Sequence, residues 1–96
     1  MRHQAATVHE LARVAELSVL PGETLTRLAR EMERHELAPG EELEAGDRFA
    51  VVLSGLVNGP EGVLHPGDRA SGRVRALTPA ALAVCDRSAY DAIVAG

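Results

Sequence analysis

The sequence predicts an α+β fold, mainly β: two helices, then a run of short antiparallel strands, then one short closing helix. Three observations predict it. Apolar residues recur at helical spacing in two segments before residue 36. From residue 36 to residue 85 the phrases "PGE", "AGD", "SG", "NGPEG" and "HPGD" interrupt short extended runs, the rhythm of a small sandwich or barrel. Helical spacing then returns at Tyr90, Ile93 and Val94.

Taken in order, Thr7 and Glu10 have the spacing of a capping box, so a helix is expected over about residues 8–17, with Val8, Leu11, Ala12 and Ala15 on its packed face. "SVLPGE" breaks it. Pro21 suits the first turn of a second helix, over about 22–35, in which Leu25, Leu28, Ala29 and Met32 share a face. The expected strands are "ELA", "EELEA", "RFAVVLS", "LVN", "GVL", "GRVRAL" and "ALAVC", within about 36–85. "FAVVL" is apolar throughout and is expected to be buried on both faces. Asp86 can cap a last helix over about 87–95. No linker or internal repeat interrupts this plan, so residues 1–96 are expected to form a single domain.

Composition narrows the function. Apolar residues make up 46% of the chain but aromatic ones only 2%, so Leu, Val and Ala must fill the core. Fourteen acidic residues against ten basic ones give a net charge of −4, the wrong sign for a domain that neutralises a nucleic-acid backbone. Every basic residue is Arg and none is Lys, which fits the codon bias of a GC-rich bacterial genome and implies no function by itself. The start lacks the apolar run of a signal peptide, and no span approaches the ~20 apolar residues of a membrane crossing, so a cytoplasmic protein without membrane contact is expected. The single Cys85 lies in "ALAVC" and is expected to be a reduced, buried thiol.

Five phrases in fixed order, "LPGETLTRLAREME", "LAPGEEL", "GDRFAVVLSGLV", "VLHPGD" and "VRALTPAALAVCDRSAYDAIV", resemble the cyclic nucleotide-binding domain of catabolite-activator-type regulators, kinase regulatory subunits and gated channels. The resemblance spans roughly residues 11–94. It implies an antiparallel β-roll, or jelly roll, flanked by helices. Gly40, Gly46, Gly55 and Gly67 stand where such a chain reverses between strands.

The resemblance also implies where the ligand chemistry should be, and there the sequence departs. In the family a phosphate-binding cassette follows the "PGD" turn: Phe-Gly-Glu, a short helix, then an arginine before the next strand. With "PGD" at Pro66, Gly67 and Asp68, the Gly-Glu falls on Ser71 and Gly72. Counted back from "VRAL" at Val74, the arginine falls near Ala70, so most of the cassette is missing. The helix that closes over the base in family members also has no counterpart before Gly96.

The expected function is therefore a regulatory or interaction module that has lost cyclic nucleotide binding and acts through a protein partner or as a homo-oligomer. The faces offered for this are the helix Val8 to Leu17 and the stripe Tyr90, Ile93 and Val94. The alternative is a sensor that binds a cyclic nucleotide or another small anion in a rebuilt pocket formed by Arg69, Ser71, Gly72 and Arg73. No enzyme, cofactor or metal site is expected. His3, His9, His35 and His65 lack ligand spacing, "EELEAGD" reads as the wet face of a strand, and no serine stands in a nucleophile elbow.

Overall fold

Helical spacing ends before the polar run "ERHE", and the chain turns extended there. The computed structural model describes residues 4–5 and 8–95. Among these, β1 (Gln4–Ala5) precedes α1 (Val8–Ala12), α2 (Ala15–Ser18) and α3 (Gly22–Glu31). Then follow β2 (Glu33–Leu37), β3 (Glu42–Gly46), β4 (Phe49–Ser54), β5 (Val57–Gly59), β6 (Gly62–Leu64), β7 (Gly72–Ala76), β8 (Ala80–Cys85) and α4 (Arg87–Ala95). This is the mainly-β, antiparallel α+β architecture that the turn rhythm predicts.

Two boundaries differ from expectation. The first helix is not continuous over 8–17: it breaks at Arg13 and Val14, where Val14 is extended (φ −83°, ψ 117°). The break brings Leu11, Val14 and Leu17 into the core, while Val8 and Ala12 stay exposed, so the packed face is not the one predicted. Thr7, the expected cap, lies outside the described residues. The second helix stops at Glu31 rather than near His35. Its apolar stripe would next need an apolar residue at 35 or 36, where the chain has His35 and Glu36. Met32 is extended (φ −89°, ψ 132°), and Glu33–Leu37 pairs antiparallel with β8, so a sheet ladder takes over the backbone hydrogen bonds.

The strands form two four-stranded sheets, ordered β1-β2-β8-β4 and β3-β7-β5-β6. The first sheet is the middle layer. Strand alternation sends Phe49, Val51, Ala83 and Cys85 to the helices, where they meet Leu11, Leu17, Leu25, Leu28, Met32 and Ile93. It sends Ala50, Val52, Leu82 and Val84 to the second sheet, where they meet Ala45, Val57, Ala70, Val74 and Ala76. "FAVVL" thus supplies both cores, as expected of an apolar run, and β8, buried at every residue, does the same.

The turns hold these layers in register. Gly55 has φ +78°, and a Cβ there would lie 2.2 Å from the Pro79 carbonyl oxygen, so only glycine lets β4 turn into β5 against the start of β8. Beside it, Leu56 donates its N–H to Thr78 Oγ1 (3.0 Å), and Leu77 donates to the Leu56 carbonyl (2.9 Å). On the helix side, Arg34 of β2 donates from Nε to the Glu10 carboxylate (2.9 Å) and from Nη1 to Glu36. These bonds to Glu36 and Glu10 raise its already high pKa and tie α1 to the sheet.

Candidate functional site

The site is a corner where three chain segments meet: the β3–β4 turn, the stretch before β7, and the start of α4. His65–Asp68 forms a turn with Pro66 second and Gly67 third, where Gly67 takes φ +97°, as a type II turn requires. Asp68 closes it by accepting the His65 N–H on Oδ2 (2.8 Å). The chain then runs along the outer edge of β4. Gly67 donates to the Val52 carbonyl (2.7 Å), Val52 to the Asp68 carbonyl (2.9 Å) and Ala70 to the Ala50 carbonyl (2.9 Å), and Val51 bridges Arg69. Only Ser71 separates this rung from β7, with no helix between.

Alternation along the rung sets its side chains. Ala70, where the family's arginine would fall, is 3% exposed and fills the core between the sheets, so this position offers no cation. Arg69 points the other way. Its guanidinium carbon lies 4.7 Å from the centre of the Phe49 ring and 5.9 Å from that of Tyr90. Phe49 and Tyr90, the two aromatic residues of the chain, stack with ring centres 3.8 Å apart and planes 14° apart.

Beside Phe49 is a hollow of about 230 Å³ lined by Gly46, Asp47, Arg48, Ala50, Arg69, Ala70, Ser71 and Arg87. The structure thus brings two of the four proposed binding residues, Arg69 and Ser71, to one cavity. Gly72 and Arg73 do not line it. Gly72 pairs with Gly46 at the start of β7, and Arg73 reaches over the surface to Glu44, with Nε 3.4 Å from Oε1. Sequence reasoning missed Arg48 and Arg87. Their one visible signal was position: Arg48 immediately precedes "FAVVL", and Arg87 follows the Asp86 cap.

The interaction stripes are largely used within the fold. Leu11 and Leu17 are fully buried, and Ile93 and Tyr90 pack on the helix-side core, leaving Val8 and Val94 at the surface. Cys85 is buried as expected. Desolvation, with the charges of Asp86 and Glu31 adding to it, pushes its thiol up to about 11, so it stays protonated at neutral pH. His35 Nε2 lies 3.5 Å from Glu33, and His65 is exposed near Asp68. Among the described residues no three His, Cys, Asp or Glu side chains gather to hold a metal. Nor is any described helix long and apolar enough to cross a membrane.

No protein-family model matches the sequence, and no curated protein matches it. Solved structures do. One is the regulatory subunit of a cAMP-independent protein kinase A from Trypanosoma cruzi, bound to guanosine: TM-score 0.70 and 21% identity over 92% of this chain and 40% of that one. Another is a cyclic nucleotide-binding-like protein from Brucella abortus: TM-score 0.61 and 20% identity over 93% of this chain and 97% of that one. The chain has the fold of a cyclic nucleotide-binding domain. The N-terminal domain of a transcriptional regulator from Streptomyces coelicolor is similar too, with TM-score 0.63 and 22% identity over 90% of this chain and 79% of that one. This cyclic nucleotide-binding fold spans about two fifths of the length of the trypanosomal kinase subunit. Its neighbours are regulatory and binding proteins.

Proposed function

We propose that this chain is a cytoplasmic regulatory or interaction module that keeps the cyclic nucleotide-binding fold, no longer holds a cyclic nucleotide, and works through a protein partner or a second copy of itself. One observation carries the reading: the stretch Gly67–Ala70 is hydrogen-bonded along β4 and passes through Ser71 directly into β7. A cassette binds a phosphate by presenting successive free N–H groups at the start of a short helix. Here the N–H groups of Gly67, Asp68 and Ala70 already donate to the carbonyls of Val52, His65 and Ala50. The space between the sheets is filled as well, by Ala50, Val52, Ala70, Val74, Leu82 and Val84.

Cys85 does not support a cysteine-based catalytic reading either. The one thiol is buried and protonated, which removes the nucleophile that a cysteine-based mechanism needs.

Isothermal calorimetry with cyclic AMP, cyclic GMP and cyclic dinucleotides tests the loss of binding. The expected result is no saturable heat. Micromolar, saturable heat that Arg69→Ala or Arg73→Ala abolishes would overturn the reading in favour of a rebuilt nucleotide pocket.

A further inference from the structure

The outward face of α3 is left uncovered by the fold. Leu25, Leu28 and Ala29 turn its apolar stripe into the helix-side core, and the opposite face carries Glu23, Arg27 and Arg30 at i, i+4 and i+7. All three are exposed, and among the described residues none of their side chains is hydrogen-bonded or ion-paired. The charges are ordered along the helix. The first turn holds Glu23, while the C-terminal half holds Arg27, Arg30 and Glu31, so one end of the stripe is acidic and the other is basic in sum.

Two apolar features accompany the stripe, one at each end. Before α3, Val19 stands 82% exposed, the most exposed large apolar side chain among the described residues. Beside the C-terminal half of α3 lies a hollow of about 370 Å³, lined by Arg27, Arg30 and Glu31 of α3 and by Ala89, Ala92 and Ile93 of α4. Its α4 wall consists of small and aliphatic groups, which suit a projecting apolar side chain. Val19 does not fill it within one copy, since it stands in solvent.

A second copy set antiparallel answers both asymmetries. A two-fold axis passing between Thr26 and Arg27 places Glu23 opposite Arg30 in both directions, so the contact makes two equivalent ion pairs. Glu31 then falls opposite Gly22, where the free N–H groups at the start of the other helix favour a carboxylate. Arg27 falls opposite Thr26 beside the axis, and Glu23 and Glu31 of its own helix, at i−4 and i+4, offset its approach to the other Arg27. We propose that two copies of this chain pair through α3 in this way, with Val19 of each copy seated in the α3–α4 hollow of the other. The proposal rests on the reading that the module works through a protein partner or a second copy, and it names the second copy.

Sedimentation equilibrium of the whole chain, from micromolar to millimolar concentration, tests the pairing. The parent is expected to dimerise. Glu23→Arg and Arg30→Glu should each weaken the dimer by at least about tenfold, because each sets like charges opposite one another at two symmetric positions. Mixed in equal amounts, these two variants should restore it, since each offers the charge that the other lacks; misfolding of either would not be rescued by mixing. Val19→Asp should weaken the dimer as well without altering the circular dichroism, the residue being exposed. A parent that stays monomeric, single charge variants or a Val19→Asp chain that dimerise as the parent does, or a mixture that stays monomeric overturns the α3 pairing alone. Saturable heat with a cyclic nucleotide overturns the loss of nucleotide binding and leaves the sedimentation result unmoved.

Discussion

The two faces of the middle sheet are packed by different means. Facing the helices, the core is built from large side chains: Phe49, Met32, Ile93 and the leucines Leu11, Leu17, Leu25 and Leu28. Facing the second sheet, half of the ten buried residues are alanines, Ala45, Ala50, Ala70, Ala76 and Ala80. Helices stand off a sheet by the thickness of their long side chains, so that side needs volume. Sheets whose facing positions are alanine and valine can close on one another, and that side needs small residues. The comparison bears on the proposed loss of nucleotide binding, because any ligand between the sheets would need room in the second interior. Here alanines and valines occupy it.

The comparison can be broken from either side. The largest effect is expected from Phe49→Ala, which removes the largest buried side chain, the stacking partner of Tyr90 and the platform of Arg69. A loss of about 3–5 kcal/mol in urea unfolding is expected. A loss below 1 kcal/mol would mean that the helix-side core does not depend on this ring.

The opposite change tests the other interior. Ala50→Leu adds volume where Ala50 faces the second sheet, and should cost about 1–3 kcal/mol by overpacking. If the variant were as stable as the parent, the space between the sheets would be looser than the packing of Ala50 implies, and a ligand could enter it.

The smallest effect is a pH dependence on the helix side. The Cys85 thiol titrates at about 11 in the fold against 9.0 unperturbed, so the unfolded chain loses this proton first. The contribution to stability is fully present below pH 9 and falls as pH rises towards 11. Unfolding midpoints compared with Cys85→Ala across that range should converge, and parallel curves would show that the thiol is not desolvated.

Much of this architecture was legible in the sequence because local rules agree with the tertiary result. The glycines at turns, the stripe Leu25, Leu28, Ala29 and Met32, the run "FAVVL" and the closing helix all stand where spacing places them. Spacing failed where a tertiary partner competed. Glu33–Leu37 follows a helix directly and could extend it by propensity, but β8 offers a complete ladder. The first helix breaks so that Val14 joins Leu11 and Leu17, a gain in burial that no local rule contains.

The candidate site shows the same division. The proposed loss of the cassette could be counted from "HPGDRASGRVRA" alone, because only the five residues Arg69 to Arg73 separate the "PGD" turn from "VRAL". The arginine cluster could not. Arg48, Arg69 and Arg87 are distant along the chain, and alternation along the rung decides that Arg69 faces Phe49 while Ala70 faces the inner core. The sequence by itself determined the order of most elements and where the turns fall, since these follow from periodicity and length. Only the tertiary structure decided which charges share a cavity, because that depends on how strand pairing and a helix start converge in space.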